Sequence, residues 1–248
     1  MSENDTPQEV VNEQLLLISG ESGTGKSMSL RNIRNQERWL YLNCEAGKRL
    51  PFKNNFHTIK ITDPYHVLAG FDHVNRNPDY DGIIVDTVTF LMDMFESKYI
   101  VGSSNTMQGW ANYNQFFKTM MQDKVANSDK SVLMLAHTKA ELDESAGIMR
   151  SAVPVKGALK NQGIEAYFST VVSTKTMPLR ELEKYKNDLL NITEQDEMLG
   201  FKHVFQTQLT KATVGERIRS PWQMFSVAQT FTDNDAQRML DHLKQYYG

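Results

Sequence analysis

Eight consecutive residues near the start of the chain have the types and spacing that hold a phosphate group. Gly20, Gly25, Lys26 and Ser27 match the pattern G-x-x-x-x-G-K-[ST] within GESGTGKS. Glycines let the backbone wrap closely around a phosphate chain, and the amides of such a loop point toward the anion. Lys26 would neutralise the outer phosphates, and the Ser27 hydroxyl would hold Mg²⁺. The pattern predicts a nucleotide-binding loop made of Gly20, Glu21, Ser22, Gly23, Thr24, Gly25, Lys26, Ser27 and Met28.

Two carboxylates follow apolar segments at positions where they would serve a bound nucleotide. Asp86 ends the run IIVD, where a carboxylate would complete the Mg²⁺ shell begun by Ser27. The next residue is Thr87 and not an acid, so a catalytic base has to come from elsewhere. Glu45 follows the second apolar segment, and as a general base it would orient a water for attack on the γ-phosphate. The alternative for Glu45 is an ordinary solvated loop residue.

A histidine ends a further apolar segment, SVLMLA. His137, with Thr138 beside it, would sense the γ-phosphate by hydrogen bonding, although a lone histidine is often structural. Together with the loop and the two carboxylates, it predicts ATP and Mg²⁺ as the ligands of this chain.

Apolar segments that alternate with helical ones must position these residues. Alternation of this kind indicates a parallel sheet with helices on both faces, and ligands bind at the carboxyl ends of its strands. We therefore predict a single α/β domain over residues 13–248, preceded by a flexible tail over residues 1–12. The predicted strands are 15–18, 38–44, 57–62, 83–86, 131–136 and 170–174, and the predicted helices are 28–36, 65–75 and 110–127.

The pattern changes after His137. Residues 138–163 have little periodicity and are predicted as a long functional loop. Residues 178–192 read as a charged amphipathic helix in a helical insertion over 178–200. Strands at 203–210 and 222–227 would form an antiparallel hairpin around a basic turn, and a helix over 232–247, capped by Thr232, would follow.

Basic residues in the 138–163 segment suggest a contact with nucleic acid. Four of them would grip phosphates if the segment is a mobile loop, and the alternative is a solvated loop without a ligand. The candidates are Lys139, Arg150, Lys156 and Lys160.

Overall composition narrows the class of protein. The net charge of −3 gives no global argument for binding nucleic acid, so any such contact has to be local or come from an oligomer. The single cysteine, Cys44, cannot form an internal disulfide, which favours a reducing compartment. No stretch approaches 18 apolar residues. We expect a cytoplasmic protein with no membrane partner.

The motifs resemble the RecA-like branch of P-loop ATPases. The resemblance is carried by GESGTGKS, by Glu45 after the second strand, by the strand IIVDT and by the polar pair that follows SVLMLA. More narrowly, the chain is similar to small phage-encoded RecA-like ATPases of recombination and single-strand-annealing modules.

This resemblance implies a single RecA-type P-loop domain with a mostly parallel central sheet, helices on both faces and a C-terminal antiparallel hairpin. It implies an ATP-dependent homo-oligomer, a ring or filament, that acts on single-stranded DNA in the host cytoplasm. His137 takes the sensor position, and the DNA loop would lie between Lys139 and Lys160. The basic turn would reach the nucleotide of the neighbouring subunit, with a solvated hairpin as the alternative; its candidates are Lys211, Arg217 and Arg219.

Two other functions stay open from the sequence. One is a motor of the replicative-helicase or packaging type, which would use the same core to move along nucleic acid. The other is an ATP-switched assembly protein that does not act on nucleic acid, and the acidic balance of the chain is compatible with it.

Overall fold

The computed structural model describes residues 12–248, so the tail predicted over residues 1–12 lies, apart from Asn12, outside the described residues. The strands are β1 (Leu15–Gly20), β2 (Trp39–Asn43), β3 (His57–Lys60), β4 (Gly82–Asp86), β5 (Ser131–His137), β6 (Lys139–Asp143), β7 (Ile148–Ala152), β8 (Thr170–Pro178), β9 (Phe201–Gln206) and β10 (Phe231–Asp233). The α-helices are α1 (Tyr65–Asn75), α2 (Val88–Tyr99), α3 (Thr106–Lys118), α4 (Leu159–Gln162), α5 (Leu179–Leu182), α6 (Glu194–Leu199) and α7 (Ala236–Tyr247). Within residues 12–248, no helix has the length and apolarity needed to cross a membrane.

Eight strands form one sheet in the order β10-β9-β8-β1-β5-β4-β2-β3. The six strands from β8 to β3 run parallel to their neighbours. Strand β9 is antiparallel to β8, and β10 is antiparallel to β9. The predicted fold class, an α/β domain with a mostly parallel sheet and a C-terminal antiparallel pair, is confirmed.

Alternate residues of the parallel strands bury opposite faces of the sheet, because successive side chains of a strand point to opposite sides. Leu15 and Leu17 belong to the core that also contains the buried residues of α1, α2 and α3. Leu16 and Ile18 belong to the opposite core, with Leu30 and the apolar stripe of α7. Helices therefore cover both faces, and this explains why β1 is buried throughout and why its residues 15–18 are all apolar and do not alternate with polar ones.

The segment after the P-loop is shorter and tighter than the helix predicted over residues 28–36. It forms a 3₁₀-helix over Ser27–Asn32, and a separate turn follows at Gln36–Arg38. The hydroxyl of Ser29 donates to the Lys26 carbonyl at 2.5 Å, while the Ser29 amide is shared between the carbonyls of Gly25 and Lys26. Serine side chains compete in this way for backbone groups that an α-helix would use.

The segment predicted as a long loop over residues 138–163 contains a β-hairpin, formed by β6 and β7. Asp143 closes its turn by accepting hydrogen bonds from the amides of Ser145 and Ala146, both at 3.1 Å, and Gly147 has φ of 64°. The prediction missed this hairpin because the residues of β6, KAELD, show no apolar face to a core.

The prediction of one helix over residues 178–192 is wrong. The chain forms α5, a 3₁₀ turn and an extended stretch before α6. Asn187 turns the chain there, because its side-chain amide donates to the carbonyls of Tyr185, Ala228 and Phe231.

The strand predicted over residues 222–227 is also absent. Met224 and Phe225 are consecutive and both enter the core beside α7, which alternation along a strand would not allow. The partner of β9 is instead β10, and Thr232 lies in that strand. The N-cap of α7 is Asp235, whose carboxylate accepts from the amides of Gln237 at 3.0 Å and Arg238 at 3.3 Å.

Loss of this cap should lower stability. We expect Asp235→Ala to decrease the free energy of unfolding by about 1–2 kcal/mol, because two helix amides lose their acceptor. Asp235→Asn keeps a capping oxygen and is the matched control. Urea denaturation with an unchanged m-value would measure the difference. An Asp235→Ala protein as stable as the wild type would show that the cap contributes nothing.

Candidate functional site

The predicted site residues meet at the carboxyl edge of the parallel strands. In the sheet register Gly20 is opposite His137, and Asp86 is opposite Leu135 on one side and Asn43 on the other. A cavity of about 250 Å³ opens at this edge. Its lining includes Ser22, Gly23, Gly25, Lys26, Ser27, Met28, Glu45, Asp86 and His137.

Asp86 is the buried carboxylate of the site. Its Oδ2 accepts hydrogen bonds from the Ser27 hydroxyl at 3.1 Å and from the Tyr41 hydroxyl at 2.7 Å. Its Oδ1 is buried and has no hydrogen-bond partner among residues 12–248. Burial raises the pKa of Asp86 above its usual range. An unpaired carboxylate oxygen beside a serine hydroxyl fits a hard divalent cation such as Mg²⁺, which Ser27 and Asp86 would hold.

Lys26 is folded back on its own loop. Its ammonium donates to the carbonyls of Gly20 at 2.9 Å and of Glu21 at 2.7 Å. Burial lowers the pKa of Lys26 to about 8. A phosphate in the cavity would favour the charged form, so the anion and the lysine would stabilise each other.

Glu45 and His137 contact each other across the cavity. The two residues lie 92 positions apart, and His137 Nε2 is 3.2 Å from Glu45 Oε1. Lys48 donates to the other carboxylate oxygen at 3.0 Å. The bond from His137 is the largest cause that lowers the pKa of Glu45 to about 2, so this carboxylate is ionised at neutral pH. The sequence predicted each residue separately but not their contact.

The turn that carries Glu45 is fixed by a buried amide, Asn43. Its side-chain oxygen accepts from the Glu45 amide at 3.0 Å, and its side-chain nitrogen donates to the Lys48 carbonyl at 2.8 Å. Ala46 and Gly47 complete the turn with φ of 55° and 83°. Sequence reasoning missed Asn43 and also Tyr41, although both are polar residues in an otherwise apolar strand.

The P-loop is also supported from the far end of the chain. The side chain of Asn234 donates to the Gly25 carbonyl at 2.9 Å, and the Asn234 carbonyl accepts from Arg31 at 2.8 Å. A Cβ atom at residue 25 would lie 2.4 Å from the Asn234 amide nitrogen, and the φ of Gly25 is 102°. Glycine is therefore required here by close approach as well as by backbone conformation. No sequence signal pointed to Asn234.

The basic residues predicted to bind DNA are mostly paired with acids of their own chain. Lys139 contacts Glu141 at 2.9 Å and Arg150 contacts Asp143 at 2.6 Å, both within the hairpin. Lys156 pairs with Glu96 of α2. Lys160 is exposed and makes no ion pair in the described range. The structure does not gather the four charges into one patch of unpaired cations.

The three residues predicted to act on a neighbouring subunit lie outside the cavity of their own chain. Arg217 forms an ion pair at 3.1 Å with the buried Glu165. The backbone of Arg219 pairs with Val171 in β8, and Val171 is opposite Leu17, three residues before Gly20. Lys211 lies on the surface, at a second cavity of about 420 Å³. Their action in trans stays a prediction.

Comparison with known proteins places the chain among P-loop proteins. Residues 12–197, well over half of the chain, match the sequence model of the family described as AAA domain. No curated protein matches the chain.

The contact between Glu45 and His137 predicts that the pKa of Glu45 depends on His137. We expect His137→Ala to raise the pKa of Glu45 from about 2 toward its ordinary value near 4.5, because the largest stabilising bond of the carboxylate is lost. Carbon NMR of labelled glutamate carboxyls would follow the titration.

Two further results bear on the same prediction. Lys48→Ala removes the hydrogen bond and the positive charge at the other carboxylate oxygen and should also raise the pKa of Glu45. Because the folded pKa is depressed, the stabilisation from ionised Glu45 is complete above its unfolded pKa and is lost as pH falls toward about 2. A Glu45 pKa that does not move in His137→Ala would contradict the assignment.

Proposed function

The chain belongs to the AAA domain family, and on that premise we propose that it is a RecA-like ATPase that acts on single-stranded DNA as an ATP-dependent oligomer. The family itself indicates an ATPase-type P-loop domain. The observation that best supports hydrolysis is the contact between Glu45 and His137. This pair lines the same cavity as Lys26, Ser27 and Asp86. Binding alone would not require an ionised carboxylate at that place.

The residues of the cavity have different roles in hydrolysis. The loop amides and Lys26 bind the phosphate chain of ATP, and Mg²⁺ held by Ser27 and Asp86 would neutralise charge on the phosphates. Glu45 accepts a hydrogen bond from the attacking water and holds it in line with the γ-phosphate. A carboxylate with a pKa of about 2 is a weak base, so its role is orientation more than early proton removal. Phosphoryl transfer through a loose transition state depends mainly on such positioning and on stabilisation of the phosphoryl charge.

The link to DNA rests on the hairpin of β6 and β7. The hairpin begins at Lys139, two residues after His137, and His137 contacts Glu45. A ligand bound to the hairpin would therefore lie close along the chain to the residues that act on the γ-phosphate. An oligomer would bring several copies of Lys160 together. Their combined positive charge would favour DNA binding although the net charge of each chain is negative. The proposed setting is phage recombination or replication, with a helicase or packaging motor as a related use of the same core.

A second function from another class has its own support. Three of the four candidate DNA-binding cations are neutralised by acids of the same chain. This pairing favours an ATP-switched assembly protein in which the hairpin contacts protein and not nucleic acid. Binding of single-stranded DNA with and without Mg-ATP distinguishes the two functions.

Two variants test the ATPase. Lys26→Ala should abolish hydrolysis and strongly weaken ATP binding, because a charge that faces the phosphates is lost. Glu45→Gln should bind ATP normally and hydrolyse it slower by roughly 10²-fold or more, since the water loses its orienting carboxylate. Steady-state turnover and equilibrium ATP binding measure both effects. Wild-type rates in both variants would refute the proposed site.

The salt dependence of DNA binding tests the second half of the proposal. Replacing Lys156 and Lys160 by alanine should reduce the slope of log affinity against log salt, by about 0.7 for each phosphate contact that is lost. ATP binding without DNA should not change. Lys53→Ala with Lys244→Ala removes the same charge from exposed positions elsewhere and should leave the slope as it is. An unchanged slope in the first variant would move the DNA path away from this segment.

A further inference from the structure

One wall of the phosphate cavity is built by the loop that follows Glu45. Besides the P-loop residues, the lining contains Lys48, Arg49, Leu50 and Pro51 of the same chain. Arg49 is exposed, and its guanidinium makes no hydrogen bond or ion pair with any residue of the 12–248 range. An unpaired arginine therefore lies at the rim of a cavity that also contains Lys26.

The backbone on both sides of Arg49 is anchored. On one side, Asn43 holds the carbonyl of Lys48 at 2.8 Å. On the other side, Leu50 and Phe52 pack against the core formed with α7. The loop is thus an anchored support from which one long side chain extends, so only that side chain, and not the backbone, has to be ordered for the guanidinium to bind a phosphate.

The two basic residues of this loop have different partners. Lys48 is engaged with the Glu45 carboxylate, and its ammonium lies close enough to lower the pKa of Lys26. Arg49 carries five donors in a planar fork that matches phosphate oxygens, and in the described structure none of them is used. Of the two, Arg49 is the cation available to a ligand.

Hydrolysis of ATP needs positive charge near the γ-phosphate beyond that of the P-loop lysine, and an arginine supplied from the same chain or from a neighbour commonly provides it. Arg217, the arginine predicted for that role in trans, is held by Glu165. We propose that Arg49 is a catalytic cation that acts in cis on the γ-phosphate bound by its own chain. This inference rests on the proposed ATPase function.

The step is ordinary hydrolysis. The oxygen of water forms a bond to the γ-phosphorus, and the bond between that phosphorus and the bridging oxygen breaks. The electron pair of the broken bond goes to ADP, and a proton of the water, which Glu45 orients, is released to solvent. Arg49 donates hydrogen bonds to the γ-phosphoryl oxygens, whose charge is spread in the transition state, and it neither gains nor loses a proton.

The first experiment compares Arg49→Ala, Arg49→Lys and the control Lys53→Ala, which removes a cation from the same loop outside the cavity. Arg49→Ala should lower kcat roughly 10³-fold, the range for loss of an arginine finger. Its affinity for a non-hydrolysable ATP analogue should change less than about tenfold, while affinity for ADP with aluminium fluoride, a transition-state mimic, should fall by far more. Arg49→Lys should restore part of kcat, and Lys53→Ala should match the wild type.

The second experiment separates action in cis from action in trans. Lys26→Ala protein, which keeps Arg49, is mixed with Arg49→Ala protein, which keeps the P-loop. If Arg49 acts in cis, the ATPase activity of the mixture should not exceed the sum of the activities of the two proteins measured separately. The specific activity of Arg49→Ala alone should stay low at every protein concentration. Recovery on mixing would overturn the inference, because it would assign Arg49 to a neighbour's site.

The outcomes also separate this inference from the function on which it rests. A wild-type protein that hydrolyses ATP, together with an Arg49→Ala protein of equal kcat and equal affinity for the transition-state mimic, overturns the role of Arg49 alone. A wild-type protein that binds but does not hydrolyse ATP overturns the proposed function, and the role of Arg49 with it.

Discussion

A carboxylate buried at the carboxyl edge of the sheet constrains the whole site. Asp86 is almost fully buried, and a buried charge is costly unless neighbouring groups donate hydrogen bonds to it. Ser27 comes from the P-loop and Tyr41 from β2, so one oxygen of Asp86 joins two separate segments to β4. Burial and the charge of Asp86 raise the pKa of Tyr41, which keeps its hydroxyl protonated and donating. The other oxygen is left for a ligand.

The same edge of the sheet holds its polar residues by contacts across strands. Asn43 is paired in the sheet with Asp86, and its side chain sets the turn that presents Glu45. His137 ends β5, the strand between β1 and β4, which is why it reaches Glu45 from the P-loop side. A small shift of one strand end would therefore change the positions of both the proposed metal ligands and the residue that orients water, because tightly packed interiors transmit strain.

The sequence predicted those parts of the site that follow from local pattern. GESGTGKS and the end of IIVD carry enough information in a few consecutive residues, and apolar runs of three to five residues predict the buried strands β1, β4 and β5. Tyr41 and Asn234 escaped prediction because their roles depend on partners 45 and 209 residues away. The hairpin of β6 and β7 escaped because its strands are exposed or only half-buried and bury no face in a core. The turn at Asn187 escaped because one side chain overrides a helical pattern. Local pattern cannot report either kind of contact.

The tie between Asn234 and Gly25 has a consequence for how the protein is made. The two residues are 209 positions apart, so the P-loop leaves the ribosome long before its support does. At about 5–20 residues per second, the delay is on the order of 10–40 s. During that interval the nascent chain has a nucleotide-binding motif but lacks the contact that braces its backbone. The hydrogen bond that braces Gly25 can therefore form only after nearly the whole chain has been synthesised.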